Sequence, residues 1–230
     1  MVSSTVVRRL VAGSLWALVL AGCARSVPAP ARPTPASVTR EEPGGDAEEP
    51  ETAALRRLVE EPVSTRVDRR SVVLIALPDG QVWRRVRPRL ADPLTAFRYG
   101  DEHHAVVAVF VRELDHPDPT EAECLADFEG WAEPRVRVAN VDLGAPSSTT
   151  VTWRGRPLEV RLRDVTAQAT FRGSSWMGAY AAYAPYKGRG TCLVLLAGVS
   201  RLKSPEIAAA ARRRLVETTF ARLLPTGRPP

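Results

Sequence analysis

Cysteine and histidine are scarce in this chain, three of each, so the places where they fall are informative. His103 and His104 follow Asp101 and Glu102, and His116 follows Asp115. On a strand, successive side chains point to opposite faces. Asp101 would share a face with His103, and Glu102 with His104. A metal site needs three or four ligands converging on one point, and adjacent histidines do not converge by themselves. Only a loop folding back after Val111 would bring His116 to His104. The cluster reads as an exposed polar turn, with no metal ligand assigned. Nucleophilic chemistry fares no better. Gly173-Ser174-Ser175-Trp176 is not the G-x-S-x-G elbow of a hydrolase. Cys124 would need a histidine partner and a free thiol. Gly188-Arg189-Gly190 is too short for a phosphate loop and reads as a strand connection. These residues point to no catalytic group and no cofactor, and the chain is read as a non-enzyme.

Cys23 has a different setting. Arg8 and Arg9 precede an apolar run from Leu10 to Leu20, followed by Ala21, Gly22 and Cys23. A basic start, a short apolar core and small residues are the layout of a secretory signal. The run falls short of the roughly 20 residues a membrane span needs. Leu20-Ala21-Gly22-Cys23 resembles the bacterial lipobox. That resemblance implies acylation of the Cys23 thiol, cleavage after Gly22, and a signal peptide over residues 1–22. Ala24 stands where an Asp would imply retention in the inner membrane of enteric bacteria. The expected place is therefore the cell envelope, lipid-anchored at the outer membrane and facing the periplasm.

Behind Cys23, residues 23–51 carry Pro28, Pro30, Pro33, Pro35, Pro43 and Pro50 with an acidic cluster at Glu41, Glu42, Asp46, Glu48 and Glu49. No apolar period runs through them, so they read as a disordered tether. Proline-rich chain extends by about 3.1 Å per residue, enough to hold a domain tens of ångströms from the bilayer. Residues 52–64 read as a short helix or linker, 65–225 as one globular domain, and 226–230 as a disordered tail.

The chain carries 32 Lys plus Arg against 26 Asp plus Glu, a net charge of +6. Only Lys187 and Lys203 are lysines. No nucleic-acid motif accompanies the excess, and nucleic acid is not an expected partner. Two surface candidates remain. Arg84, Arg85 and Arg87, with Arg89, would suit an anionic envelope polysaccharide. Trp176 and Tyr180, near Tyr186, Lys187 and Arg189, would suit a sugar or peptide, the alternative being packing beneath the C-terminal helix. With Cys23 acylated, Cys124 and Cys192 are the remaining thiols, and outside the cytoplasm such a pair is oxidised. A bridge between them is expected.

The scaffold around these residues follows from pattern. Ser71 to Leu77 is a continuous apolar run, expected as a buried strand. Pro78-Asp79-Gly80 then turns the chain, and Gln81 to Arg87 returns, predicting a hairpin. Leu94 to Tyr99 and Ala105 to Val111 are further strands. Thr120 and Glu123 have capping-box spacing at the head of a helix whose apolar face is Cys124, Leu125, Phe128 and Trp131. Pro134 is expected to end that helix. Thr149 to Trp153 and Pro157 to Thr166 predict a hairpin about Gly155. Trp176 to Tyr183 and Thr191 to Val199 are two more strands. Ser204-Pro205-Glu206 starts a helix expected to reach Leu224.

Runs of neighbouring strands with a helix between them and another at the end give an α+β class with a mostly antiparallel sheet. The segments ALPDGQVW, PTEAECLADF and SPEIAAAARRRLVETTF resemble, in order and pattern, the PsbP/MOG1-like fold, some of whose members are small exported lipoproteins. The resemblance implies a C-terminal helix packed on the sheet and an accessory, non-catalytic role. The expected function is a membrane-anchored binding or assembly module of the envelope, with envelope proteins or anionic polysaccharide as partners. The alternatives are a structural subunit of a larger envelope complex, or an exported hydrolase or metal-binding protein.

Overall fold

The computed structural model describes residues 48–68, 73–86, 94–100, 104–138, 141–167, 175–201 and 204–226. The lipobox, Cys23, nearly all of the tether, Arg87, His103 and the last residues lie outside that set. The described elements are α1 (Pro50–Glu60), β1 (Val63–Asp68), β2 (Val73–Pro78), β3 (Trp83–Val86), β4 (Leu94–Tyr99), β5 (Ala105–Glu113), α2 (Glu121–Val138), β6 (Val141–Leu143), β7 (Ser147–Trp153), β8 (Arg156–Ala167), β9 (Ser175–Tyr183), β10 (Thr191–Ser200), α3 (Pro205–Leu215) and β11 (Leu224–Pro225). A π-helical stretch, Val216–Phe220, continues directly from α3 and precedes β11. The class is α+β with antiparallel sheets, as the sequence pattern indicates.

The larger sheet has the order β3-β4-β5-β10-β9-β8-β6, with β7 also paired to β8. All ten residues of β10 are buried. That explains why its sequence, TCLVLLAGVS, is apolar without alternation: both faces are covered. On one face Val107, Val109, Leu193, Leu195, Ala181 and Tyr183 pack with α1, α3 and β2. On the other, Phe110, Val194, Leu196, Tyr180 and Ala182 meet the Cys124, Leu125 and Phe128 stripe of α2. Trp131 completes the stripe, with its ring 4.8 Å from that of Phe110.

The disulfide between Cys124 and Cys192 lies in this second layer, with Cα atoms 5.6 Å apart and both side chains fully buried. It fastens α2 to β10. The capping box at the head of α2 also forms. Glu123 Oε2 accepts from the Thr120 N–H and hydroxyl, each at 2.8 Å, and the Glu123 N–H donates to Thr120 Oγ1 at 3.2 Å. These bonds, the main-chain one first, hold the Glu123 carboxyl below its ordinary pKa.

Four expectations need correction. The strands flanking Pro78-Asp79-Gly80 do not form a hairpin. β2 pairs with β1 and β11 in a separate three-stranded sheet, whereas β3 pairs with β4. The turn closes on its own main chain, with the Val82 N–H donating to the Asp79 carbonyl at 3.0 Å, and side chains brace it: Tyr99 donates its hydroxyl to Asp79 Oδ2 at 2.7 Å, and Trp83 Nε1 donates to the Pro78 carbonyl at 2.7 Å. The segment expected as a short helix or linker forms the helix α1, but its Leu55 and Leu58 are fully buried, so the folded unit starts earlier than residue 65. Helix α2 continues through Pro134 to Val138; a proline within a helix forgoes one main-chain bond without necessarily ending it. The last helix stops being α-helical after Leu215, and β11 then closes the small sheet against β2.

The β7–β8 hairpin forms as expected. Its turn residues, Arg154 and Gly155, have φ of 51° and 76°, the left-handed pair that a two-residue hairpin requires.

Candidate functional site

β6 and β7 share one edge of β8. β6 lies against Val165 to Ala167, and β7 against Arg156 to Leu162. Among the described strands β7 therefore has a partner on one side only. In a two-residue hairpin the pair beside the turn, here Trp153 with Arg156, is hydrogen-bonded, and every second pair after it. Trp153, Val151, Thr149 and Ser147 thus bond β8, while the main-chain groups of Thr152, Thr150 and Ser148 face outward. Among the described residues none of these three makes a main-chain bond beyond β8.

The end of α3 and the π-helical stretch stand beside this edge, and two buried bonds hold them there. Trp153 Nε1 donates to the Leu223 carbonyl at 2.7 Å. The Tyr183 hydroxyl donates to the Phe220 carbonyl at 2.9 Å, and burial raises its pKa well above the usual tyrosine value. Helix ends leave carbonyls without intrahelical partners, and these two side chains satisfy carbonyls at and after the helix end. Their rings meet edge to face, with centroids 5.0 Å apart. Replacing Trp153 with Phe keeps most of the ring and removes the donor. The buried Leu223 carbonyl then lacks its partner, at a cost of about 1–3 kcal/mol. A lowered melting temperature is expected, and an unchanged melt would show that the bond does not hold the segment in place.

Between the helix end and the sheet edge lies a groove of about 410 Å³, with Thr149 and Thr150 on one wall and Arg212 and Arg213 on the other, and Leu162 and Val216 contributing apolar surface. Its charges are unevenly matched. Asp164 takes Arg212 Nη1 on Oδ1 at 3.0 Å and Arg201 Nη1 on Oδ2 at 2.8 Å, so one carboxylate serves two guanidinium groups. Arg201 is further fixed by Ser175 Oγ at 2.5 Å. Arg213 is exposed and pairs with no described residue. Glu217 is the acid lining the groove. The site can hold an anionic group against Arg213 and apolar atoms against Leu162 and Val216.

The residues singled out by type and spacing lie elsewhere. Arg84 and Arg85 are exposed, but they do not form one patch. Arg84 stands opposite Arg98 in the β3–β4 register and Arg85 opposite Phe97, so the two side chains leave opposite faces of the sheet. Arg85 lies 3.5 Å from Asp68. Trp176 and Tyr180 are buried, and neither ring is presented to solvent. Tyr180 packs beneath α2, not the C-terminal helix, and its hydroxyl donates to Glu129 Oε1 at 2.7 Å. Burial first, and that bond second, push its pKa up to about 12.

His104 is buried, and its carbonyl accepts from the Ser200 N–H at 2.9 Å. His116 is exposed, in a loop held against Gly190. A Cβ at Gly190 would come within 2.6 Å of the Leu114 carbonyl oxygen and 2.8 Å of that of His116; this close approach is why glycine stands there. Among the described residues no three His, Cys, Asp or Glu side chains group closely enough to hold a metal ion.

No family model matches the chain, and no curated protein matches it. Among solved structures it is similar to the solution structure of cyanobacterial PsbP (CyanoP) from Synechocystis sp. PCC 6803, at 10% identity and a TM-score of 0.45, over 70% of this chain and 91% of that one. A likeness at that level carries no argument about what this chain does.

Proposed function

We propose that this protein is a membrane-tethered binding module, and that the groove between α3 and β7 is its working surface. The observation that carries the reading is the groove itself: an open sheet edge, an unmatched Arg213 and apolar walls brought together by the fastened end of α3. Small ligands and peptides are bound in clefts that combine apolar surface with a few placed polar groups, and this site has both. Lipidation of Cys23 would hold the domain at the membrane of the cell envelope. The tether would set how far the groove reaches from it.

Filling the groove tests this directly. Ala209 lines it from α3 and is half-buried, beside the fully buried Ala208. Ala209→Trp would occupy the space while leaving the core contacts of Ala208 and Ala211 in place. From membranes solubilised in mild detergent, a tagged full chain should retain a partner, and the Ala209→Trp chain should lose most of it with no change in melting temperature. Equal recovery by both chains would contradict the reading.

A further inference from the structure

Resting on the groove reading, we infer that the partner binds as an extended, acid-bearing polypeptide segment that adds to β7 as a further strand. Sheet edges offer rows of unpaired donors and acceptors, and natural proteins blunt those that must stay free with charges, prolines, bulges or short length. β7 carries none of these devices. It is seven residues long, SSTTVTW, without charge, proline or glycine. Five of its residues, Thr149 to Trp153, are β-branched or aromatic, types that favour strand.

The other outer strands of the two sheets are blunted. β3 has four residues and two arginines, β11 has two residues and a proline, β6 has three with an acid, and β1 carries Arg66 and Asp68. An open edge with no guard fits a strand that is completed by a partner.

The chemistry of the added strand follows from the walls. Main-chain bonds would form to Ser148, Thr150 and Thr152. Alternate side chains of a strand face one side, so every second residue of the guest would point toward α3. There it would meet Arg213, which has no described partner, and Arg212, which shares Asp164 with Arg201. A glutamate or aspartate at one such position and a branched aliphatic residue at the next would match Arg213 and the Leu162–Val216 surface. Strand addition supplies affinity through the backbone and selectivity through such alternate positions. A second copy of this chain fits less well, because the β7 residues it would bring carry no acid to set against Arg213.

The test uses the folded full chain, without lipid, and a phage-displayed library of random nonapeptides. Enriched peptides are expected to carry Asp or Glu among β-branched residues. For their synthetic versions, Arg213→Glu should weaken binding roughly tenfold or more, and Thr150→Pro should do the same. Proline is tolerated on an edge strand where the N–H faces solvent, so Thr150→Pro spares the β7–β8 ladder while removing a docking donor. An unchanged melt and disulfide would confirm that the variant folds. Peptides that depend on Arg213 but ignore Thr150→Pro would overturn strand addition and leave the groove reading standing. Peptides that ignore both changes would overturn both. An empty selection, or self-association that Thr150→Pro abolishes, would also overturn the proposal, the latter in favour of a second copy.

Discussion

Cys23→Ser is expected to release the protein from the membrane fraction completely and to abolish incorporation of labelled fatty acid. The expectation rests on Leu20-Ala21-Gly22-Cys23 behind a basic start and a short apolar run, and on the proposal that the thiol is acylated. A serine hydroxyl is a far weaker nucleophile than a thiolate and gives no thioether. The effect is large because the anchor is all or none. Each buried CH2 contributes about 0.8 kcal/mol, and a single chain holds only marginally, whereas two or more hold firmly. Among the described residues no helix is long and apolar enough to cross a membrane, so no described helix would take over the role. Retention of the serine variant in the membrane, with no lipid on the wild-type chain, would contradict the proposal.

The second large effect concerns the Cys124–Cys192 bridge. Changing both residues to Ala is expected to destabilise the domain by about 4 kcal/mol at most, from the loss of a closed loop in the unfolded chain; the two cysteines are 68 residues apart. Both side chains are fully buried, so the missing sulfur atoms add a packing defect between α2 and β10. For a domain of this size that loss lowers the melting temperature by roughly 8–16 °C. Thermal unfolding of the oxidised wild type, the reduced wild type and the double variant checks it. Reduced wild type should melt well below the oxidised protein, and the double variant, which also lacks the buried sulfur atoms, lower still. A melt indifferent to reduction would show that α2 is held by the Phe110, Phe128 and Trp131 packing alone.

Much of the fold was legible in the sequence, and the largest miss was a strand with competing partners. The α2 stripe and its capping box are local, and both formed. The apolar run of β10 and the Arg154-Gly155 hairpin are nearly as local. The hairpin expected about Pro78-Asp79-Gly80 lost to other pairings. β2 is apolar enough to be central, and β1, the strand just before it, and β11, distant in sequence, took its two edges. Pattern at 78–80 gives a turn but not the partner of the strand before it.

The candidate site was harder to see for a related reason. Arg84, Arg85, Trp176 and Tyr180 stand out by type, yet alternation on β3 separates the arginines and α2 covers Tyr180. The groove is built from residues that look ordinary in sequence: threonines on an outer strand, and arginines on the solvent side of a helix. Its one legible sign is SSTTVTW, a strand of high β preference without a charge or proline. Nothing in the sequence alone places Arg212 and Arg213 beside it. That depends on Trp153 and Tyr183 bonding carbonyls 70 and 37 residues away.

Photocrosslinking in living cells tests most directly whether this domain works by binding at the groove. A photoreactive amino acid at Glu217, on the groove wall, is compared with one at Arg84, exposed on the distant β3 edge. Each is carried by the full, membrane-held chain. The account predicts a discrete adduct from position 217 that Ala209→Trp suppresses, and none of the same mass from position 84. Adducts of equal yield from both positions, or adducts at 217 that persist with the groove filled, would contradict it.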